Sequence, residues 1–292
     1  MPSYNHEKYI AETINSVLNQ TFKDLELIIV DDCSTDSSRD IIETYQKQDS
    51  RVRPIFHEVN MGISRTYNDG VKHAQGKFLA FIDSDDLWVE TKLEKQLAIL
   101  STNEELAVWS EGEIIDQNGK SNGQTFTQFE HASNRQKSGN IFEELLVDDN
   151  FVFDSSLIFK KENMPRIGFD ENLKYLNDYR FVVGLASEHE FYFQEEPLAK
   201  YRVHGKNTIS SNWRIWQQDR IVLYQEFLKD YGSRIPKKLR AYLLFRIGWA
   251  HAELGERELA RRHIFSAVRA NPFGKRALPY LIVALTGLRF TI

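Results

Sequence analysis

Phe78-Leu79-Ala80-Phe81-Ile82, followed at once by Asp83-Ser84-Asp85-Asp86, is the stretch that decides the fold. The apolar run is the length of a strand and ends on carboxylates, as expected of a buried strand feeding a loop. Upstream, the run from Leu25 to Val30 ends in the same way, at Asp31 and Asp32. Helical spacing separates such runs: Ile10, Ile14, Val17 and Leu18; then Ile41, Ile42 and Tyr45; then Ile63, Tyr67, Val71 and Ala74; and after the acidic run Val89, Leu93, Leu97 and Leu100. Val52 to Glu58 looks extended, and Pro54 confines it to a sheet edge. Alternating helices and strands predict a mostly parallel α/β sheet covered on both faces. Ligands in such sheets bind beyond the carboxyl ends of the strands, where both acidic clusters lie.

Bulk properties bound what else the chain does. With 292 residues, 41% hydrophobic and 27% charged, it has room for one large domain and an appendage. From Arg234 onward twelve Lys or Arg face three Asp or Glu, nine excess positive charges in a chain of net −5, so residues 1–233 carry −14. A lone cysteine, Cys33, excludes an intrachain disulfide and suits a reducing compartment. No secretory leader pattern is visible, and the best apolar run, Leu278 to Leu288, is too short to span a bilayer and contains Pro279. A cytoplasmic location is the expectation.

Downstream, residues 116–140 read as a polar loop, 151–160 as extended, Asp178 to Ser187 as a helix, and Leu198 to Val203 as a strand. Leu239 to Leu254 and Glu256 to Ala270, with Gly255 between them and Pro272 after, predict a helical hairpin of tetratricopeptide type. The expected division is residues 1–230 as one domain and 231–292 as a basic helical tail. Basic charge beside Leu281-Ile282-Val283-Ala284-Leu285 suggests docking on an anionic membrane surface, with a packed helix as the alternative.

Three carboxylates in four positions repel one another unless a cation neutralises them, and hard oxygen ligands suit Mg²⁺ or Mn²⁺. The alternative is a solvated turn capping the next helix. Asp32 is placed to accept from a base or a ribose hydroxyl, with capping and turn chemistry alone as the alternative. Tyr4 is placed to stack on a nucleobase, or to staple the first helix. Arg65 and Asn68, by the Gly62 turn, read locally as solvated helix positions, with phosphate or ribose contact as the alternative. Asp178 reads locally as a helix N-cap, and His204 as a half-buried imidazole or a third metal ligand.

Together these segments resemble family 2 glycosyltransferases of the GT-A fold, over roughly residues 1–215. The residues that carry the resemblance are Pro2-Ser3-Tyr4-Asn5, Ser16 to Thr21, Val30 to Asp36, Asn60-Met61-Gly62, Gly76-Lys77-Phe78, Phe81 to Asp86, Gly168 to Glu171, Asn177-Asp178-Tyr179 and Tyr201 to His204. The resemblance implies a Rossmann-like sheet flanked by helices. It also implies a nucleotide-diphosphate sugar donor, often UDP-linked, inversion at the anomeric carbon, and a glycan or lipid-linked acceptor. Carried over by position, Pro2, Tyr4, Asp32, Arg65, Asp83 and Ser84 bind the nucleotide sugar. Asp83, Asp85 and His204 belong to the Mn²⁺ or Mg²⁺ site, with Asp85 the direct ligand, and Asp178 is the general base. Cys33 replaces a frequent Gly, and Asn177 a frequent Glu. Nucleic acid is not an expected partner, and the membrane surface expected is the inner face of the cell membrane. A sugar-1-phosphate nucleotidyltransferase would want a Gly-rich, Arg-bearing loop after its first strand, which is not seen; a non-catalytic scaffold would not need Asp85 and Asp178. The family also has an apolar strand leading into the segment that matches Pro2-Ser3-Tyr4-Asn5, and Met1 stands at its last position, so most of a first strand is expected to be missing.

Overall fold

The computed structural model describes residues 1–205, 212–275, 277, 279 and 280. The apolar segment Leu281 to Leu285 lies outside the described residues. In chain order the elements are β1 (Pro2–Ser3), α1 (Ile10–Leu18), β2 (Leu27–Asp31), α2 (Ser38–Gln48), β3 (Val52–Phe56), α3 (Ile63–His73), β4 (Phe78–Ala80), β5 (Leu87–Trp88) and α4 (Lys92–Leu100). There follow β6 (Ala107–Ile115), β7 (Ser121–Thr125), α5 (Phe126–Phe129), α6 (Phe142–Asp148), β8 (Ile158–Lys160), α7 (Asn177–Ala186), β9 (Phe191–Arg202), α8 (Trp213–Tyr231), α9 (Lys237–Glu253) and α10 (Arg257–Ala270). The chain divides into two compact units: residues 1–142, 150–171 and 181–207, and residues 143–149, 172–180 and 208–292.

In the first unit, β1, β2 and β3 form a parallel sheet, with Pro2 opposite Val30 and Leu27 opposite Val52. Pro54 sits on β3 at the end of this order, where its missing N–H costs nothing. The second sheet runs β4-β8-β6-β9-β5, with β7 against β6. Only β6–β9 is parallel within it. The sheet is therefore mixed rather than mostly parallel, because hydrophobic runs carry no information about strand direction. The segment expected as a loop at 116–140 turns through Asp116–Lys120, with Gly119 at φ 80°, to make β6 and β7 a hairpin.

The apolar faces read from sequence are the buried ones: Ile10, Ile14, Val17, Ile29, Val30, Ile82, Leu93 and Leu100 are all nearly inaccessible. One gap interrupts this core. β1 has only two residues, yet its register is already set: the Met1 nitrogen donates to the Ile28 carbonyl at 3.0 Å, and Val30 N–H donates to the Met1 carbonyl at 3.0 Å. β4 ends its own sheet. Between β2 and β4 lies a cavity of about 820 Å³, lined by Leu27, Ile28, Val30, Val71, Leu79 and Phe81 among others. This slot separates the two sheets.

In the second unit, α9 packs on α8 and on α10, and Gly255 at φ 85° turns α9 into α10. A Cβ on Gly248 would meet Ile264 at 2.6 Å, so that glycine permits the close approach of the two helices. Two short segments from earlier in the chain belong to this unit. Asp219 accepts from the N–H groups of Lys174 and Tyr175 at 2.9 and 2.6 Å, Tyr179 donates to the Leu145 carbonyl at 2.5 Å, and Arg246 donates to the Asp149 carboxylate at 3.0 Å. A single cut between residues 230 and 231 does not follow these bonds.

Candidate active site at the strand ends

β2 ends on Asp31, whose carboxylate accepts from Ser3 Oγ at 3.2 Å, Ser34 N–H at 2.9 Å and Ser34 Oγ at 2.6 Å. Cys33 then takes φ 62°, a left-handed conformation that a non-glycine residue adopts at a cost of roughly 1–2 kcal/mol. The turn sends Asp32 inward. Its carboxylate accepts from Met61 N–H at 2.7 Å and Gly62 N–H at 2.8 Å, and lies 2.8 Å from His57 Nδ1. Gly62 holds φ 86°, the conformation that aims these two amides at one carboxylate. Asp32 thus organises the loop before α3. Arg65 donates to Asp69 at 2.9 Å and lies 3.7 Å from Glu171. Burial acts to raise the Asp69 pKa, but Arg65 and His57 hold it below the usual carboxylate range. Tyr4, 47% exposed, stands on the same side of the sheet, after β1. Pro2 is buried in β1.

The acidic run is anchored at nearly every position. Asp83 N–H donates to Ser155 Oγ at 3.1 Å, and the Asp83 carboxylate accepts from Tyr67 Oη at 2.5 Å. Thr13 Oγ1 donates to the Ser84 carbonyl at 3.0 Å and to the Asp86 carbonyl at 2.8 Å. Asp86 is buried and accepts from Ser155 Oγ at 2.5 Å and Arg202 N–H at 2.9 Å. Burial, with the Asp85 and Asp83 carboxylates adding to it, pushes its pKa well above the ordinary value. Arg202 Nε returns a bond to the Asp85 carbonyl at 2.7 Å, and its guanidinium lies over the Tyr9 ring.

This clamp brings the end of β9 to the acidic loop, and with it His204. His204 Nε2 lies 2.9 Å from Asp85 Oδ2, and its ring stacks on Tyr9 with centroids 4.9 Å apart. His6 packs edge-on to His204 at 5.9 Å, and its Nδ1 is 2.7 Å from Ser84 Oγ. Ligand atoms of His6, Asp85 and His204 all lie within 4.8 Å of one another. Asp83 is turned to Tyr67 and is not part of that trio. His6 was not among the residues singled out from sequence; the signal available was its place just after Tyr4-Asn5, beyond a strand end.

Asp178 belongs to the second unit, in the first turn of α7, with Oδ1 2.6 Å from the next backbone nitrogen. Within that unit Asp219 holds the residues leading into the helix.

The sequence profile of Glycosyl transferase family 2 matches residues 1–161. TuaG of Bacillus subtilis, named as a teichuronic acid biosynthesis glycosyltransferase, is 32% identical over 218 residues, covering 73% of this chain and 81% of TuaG. The Escherichia coli UDP-Glc:alpha-D-GlcNAc-diphosphoundecaprenol beta-1,3-glucosyltransferase WfgD is 39% identical over 118 residues, 40% of this chain and 46% of WfgD. Among solved structures, S. aureus TarS residues 1–349 with UDP-GlcNAc matches with TM-score 0.66 at 21% identity, covering 92% of this chain and 79% of that one. The GT-A architecture expected from the motifs is the one found. The chain belongs to glycosyl transferase family 2 and is a glycosyltransferase.

Proposed function

We propose that this family 2 glycosyltransferase moves a sugar from a UDP-linked donor to a glycan or lipid-linked acceptor, with inversion and with the help of a divalent cation. The observation that carries the reading is the meeting of Asp85 and His204 at 2.9 Å beside Asp83-Ser84. UDP sugars are named with WfgD and TarS, and a diphosphoundecaprenol acceptor with WfgD.

The residues fit a cation: a carboxylate and an imidazole converge in a loop held by Thr13, Ser155 and Arg202. Asp85 and His204 would hold Mn²⁺ or Mg²⁺, and Asp83, oriented by Tyr67, would face its waters or the donor. When bound, the cation would neutralise charge on the departing nucleoside diphosphate. Tyr4, exposed beyond β1, would stack on the base, while Asp32 would keep the Met61-Gly62 turn in shape and offer its remaining acceptor capacity to the nucleoside. Pro2 and Ser84 would line the donor site, and Arg65 would exchange part of its Asp69 contact for donor oxygens. Asp178, carried over from Asn177-Asp178-Tyr179, would accept the proton of the acceptor hydroxyl. The new glycosidic bond forms on the face opposite the breaking sugar–diphosphate bond, and the diphosphate leaves with the bonding electrons.

The basic tail would place the enzyme on an anionic membrane surface, near lipid-linked acceptors. Its described part exposes Phe265 and Phe273 beside Arg262 and Arg269, and no helix among the described residues is long and apolar enough to cross a membrane.

The test is nucleoside diphosphate release from a panel of UDP-, GDP-, dTDP- and ADP-sugars with Mn²⁺ or Mg²⁺. Release from a UDP-sugar, abolished by EDTA and in Asp85→Asn, is expected. Undiminished turnover in excess EDTA would overturn the metal assignment, and turnover confined to another nucleotide would overturn the donor.

A further inference from the structure

We infer that His6 is a third protein ligand of the cation, so that the site offers two imidazoles and one carboxylate and selects Mn²⁺ over Mg²⁺. This rests on the metal-dependent reading above and goes beyond it. His6, Asp85 and His204 come from three distant parts of the chain: the loop after β1, the loop after β4, and the end of β9. Their ligand atoms nevertheless lie within 4.8 Å of one another, close enough to share one ion. Among the described residues this is the one group of three such side chains.

The His6 ring is held in place by its own loop. His6 N–H donates to Ser38 Oγ at 3.0 Å, and the His6 carbonyl accepts from Tyr9 and Ile10 N–H at 2.9 and 3.0 Å, starting α1. Just before it, Asn5 takes φ 56°, and its side chain accepts from Thr35 N–H at 2.8 Å. Backbone on both sides of His6 is thus tied down before the imidazole is considered. Ser84 Oγ, 2.7 Å from Nδ1, then fixes the ring plane, as outer-shell partners of metal-bound histidines do. The edge-on packing against His204, itself stacked on Tyr9, brings the two imidazoles to one point from different directions. Two imidazoles and a carboxylate thus converge as a shared cation would need.

The donor set determines the preference. Mg²⁺ is a hard ion that dehydrates reluctantly and favours oxygen, so two imidazoles suit it poorly. Mn²⁺ is the weakest first-row divalent ion toward nitrogen ligands, yet it takes imidazole more readily than Mg²⁺ does. A site with Asp85 and oxygen ligands alone would treat Mg²⁺ as a near equal; adding His6 to His204 tilts it.

Mn²⁺ binding is measured directly, by the loss of the free-ion electron paramagnetic resonance signal on titrating the full chain, with Mg²⁺ as competitor. Pulsed spectra of bound Mn²⁺ report the coupled imidazole nitrogens. Wild type is expected to show two imidazole couplings. His6→Ala should show one, with Mn²⁺ affinity falling by at least the roughly 10–100-fold seen for loss of outer-shell partners and Mg²⁺ affinity changing much less. His6→Asn, which keeps polarity and size, should behave as His6→Ala does while melting at the wild-type temperature. Two couplings persisting in both variants, or Mn²⁺ and Mg²⁺ affinities falling together, would overturn the role of His6 and leave the metal reading intact. Absence of Mn²⁺ binding in wild type would overturn both.

Discussion

Asp86 and Arg202 meet at the acidic loop: the Asp86 carboxylate accepts the Arg202 N–H at 2.9 Å, while Arg202 Nε donates to the neighbouring Asp85 carbonyl at 2.7 Å. The pair sews the end of β9 to the acidic loop. Asp86→Asn still accepts from Arg202 and donates to Ser155, so it is expected to cost within about 1 kcal/mol. Asp86→Leu leaves two buried donors unanswered and should cost roughly 1–3 kcal/mol for each. Chemical denaturation of the two variants checks this; equal losses would mean that the carboxylate's charge, not its acceptors, matters.

Asp178→Asn is expected to lower transfer by about 10²–10⁴, the span for loss of a general base, while donor affinity holds. Calorimetric titration with nucleoside diphosphate, beside transfer assays, separates the two. Collapsed affinity with turnover retained would assign Asp178 a structural part in α7 instead.

Lys92 is buried, with Nζ 2.8 Å from Gln96 Oε1 and 4.2 Å from the Trp88 ring centre, and burial pushes its pKa well below the usual range. The unfolded chain therefore binds more protons than the folded one between the lowered value and the ordinary one near 10.4. Folded stability should rise with pH across that window. Lys92→Met removes the dependence. Its advantage in melting temperature over wild type should be largest at low pH and shrink as pH rises toward 10. Parallel melting curves across pH would show that Lys92 keeps its proton on folding.

The slot between β2 and β4 invites a strand. An apolar segment of about five residues, at ~3.3 Å per residue, placed ahead of Met1 would continue the register set by Met1 and Ile28. Each buried side chain contributes about 1.5–3 kcal/mol, against roughly 1–2 kcal/mol of backbone ordering. A net gain of a few kcal/mol, seen as a rise of several degrees in Tm, is expected. An extension of Ser and Gly is the control, and equal melting of the two would show that the slot takes no strand.

Arg262, Phe265 and Arg269 recur at helical spacing on α10, and Phe273, in the turn that follows it, is 99% exposed. Wild type should co-sediment with phosphatidylglycerol-containing vesicles and not with phosphatidylcholine alone. Phe265→Ser with Phe273→Ser, or deletion of residues 272–292, should weaken this severalfold. Binding unchanged by both would place the contact elsewhere.

By itself the sequence determined the alternation of helices and strands, the carboxylates at the ends of β2 and β4, and the family. Each of these is written in local spacing: period 3.6 for α1 and α3, short apolar runs for β2 and β4, and a fixed order of motifs. Gly62 before α3 was readable as a turn for the same reason, whereas the left-handed turn at Cys33 came from the structure. Tertiary structure alone decided the strand directions of β6 to β9, since an apolar run is equally buried either way. It also decided the division of the chain through Asp219 and Asp149, and the turning of Asp83 toward Tyr67. Above all it decided that His6 meets Asp85 and His204. Those three residues lie 79 and 119 positions apart along the chain, and no local periodicity carries that distance. Only the closing of loops at one edge of the sheets, clamped by Arg202 and Thr13, brings two imidazoles and a carboxylate to a single point.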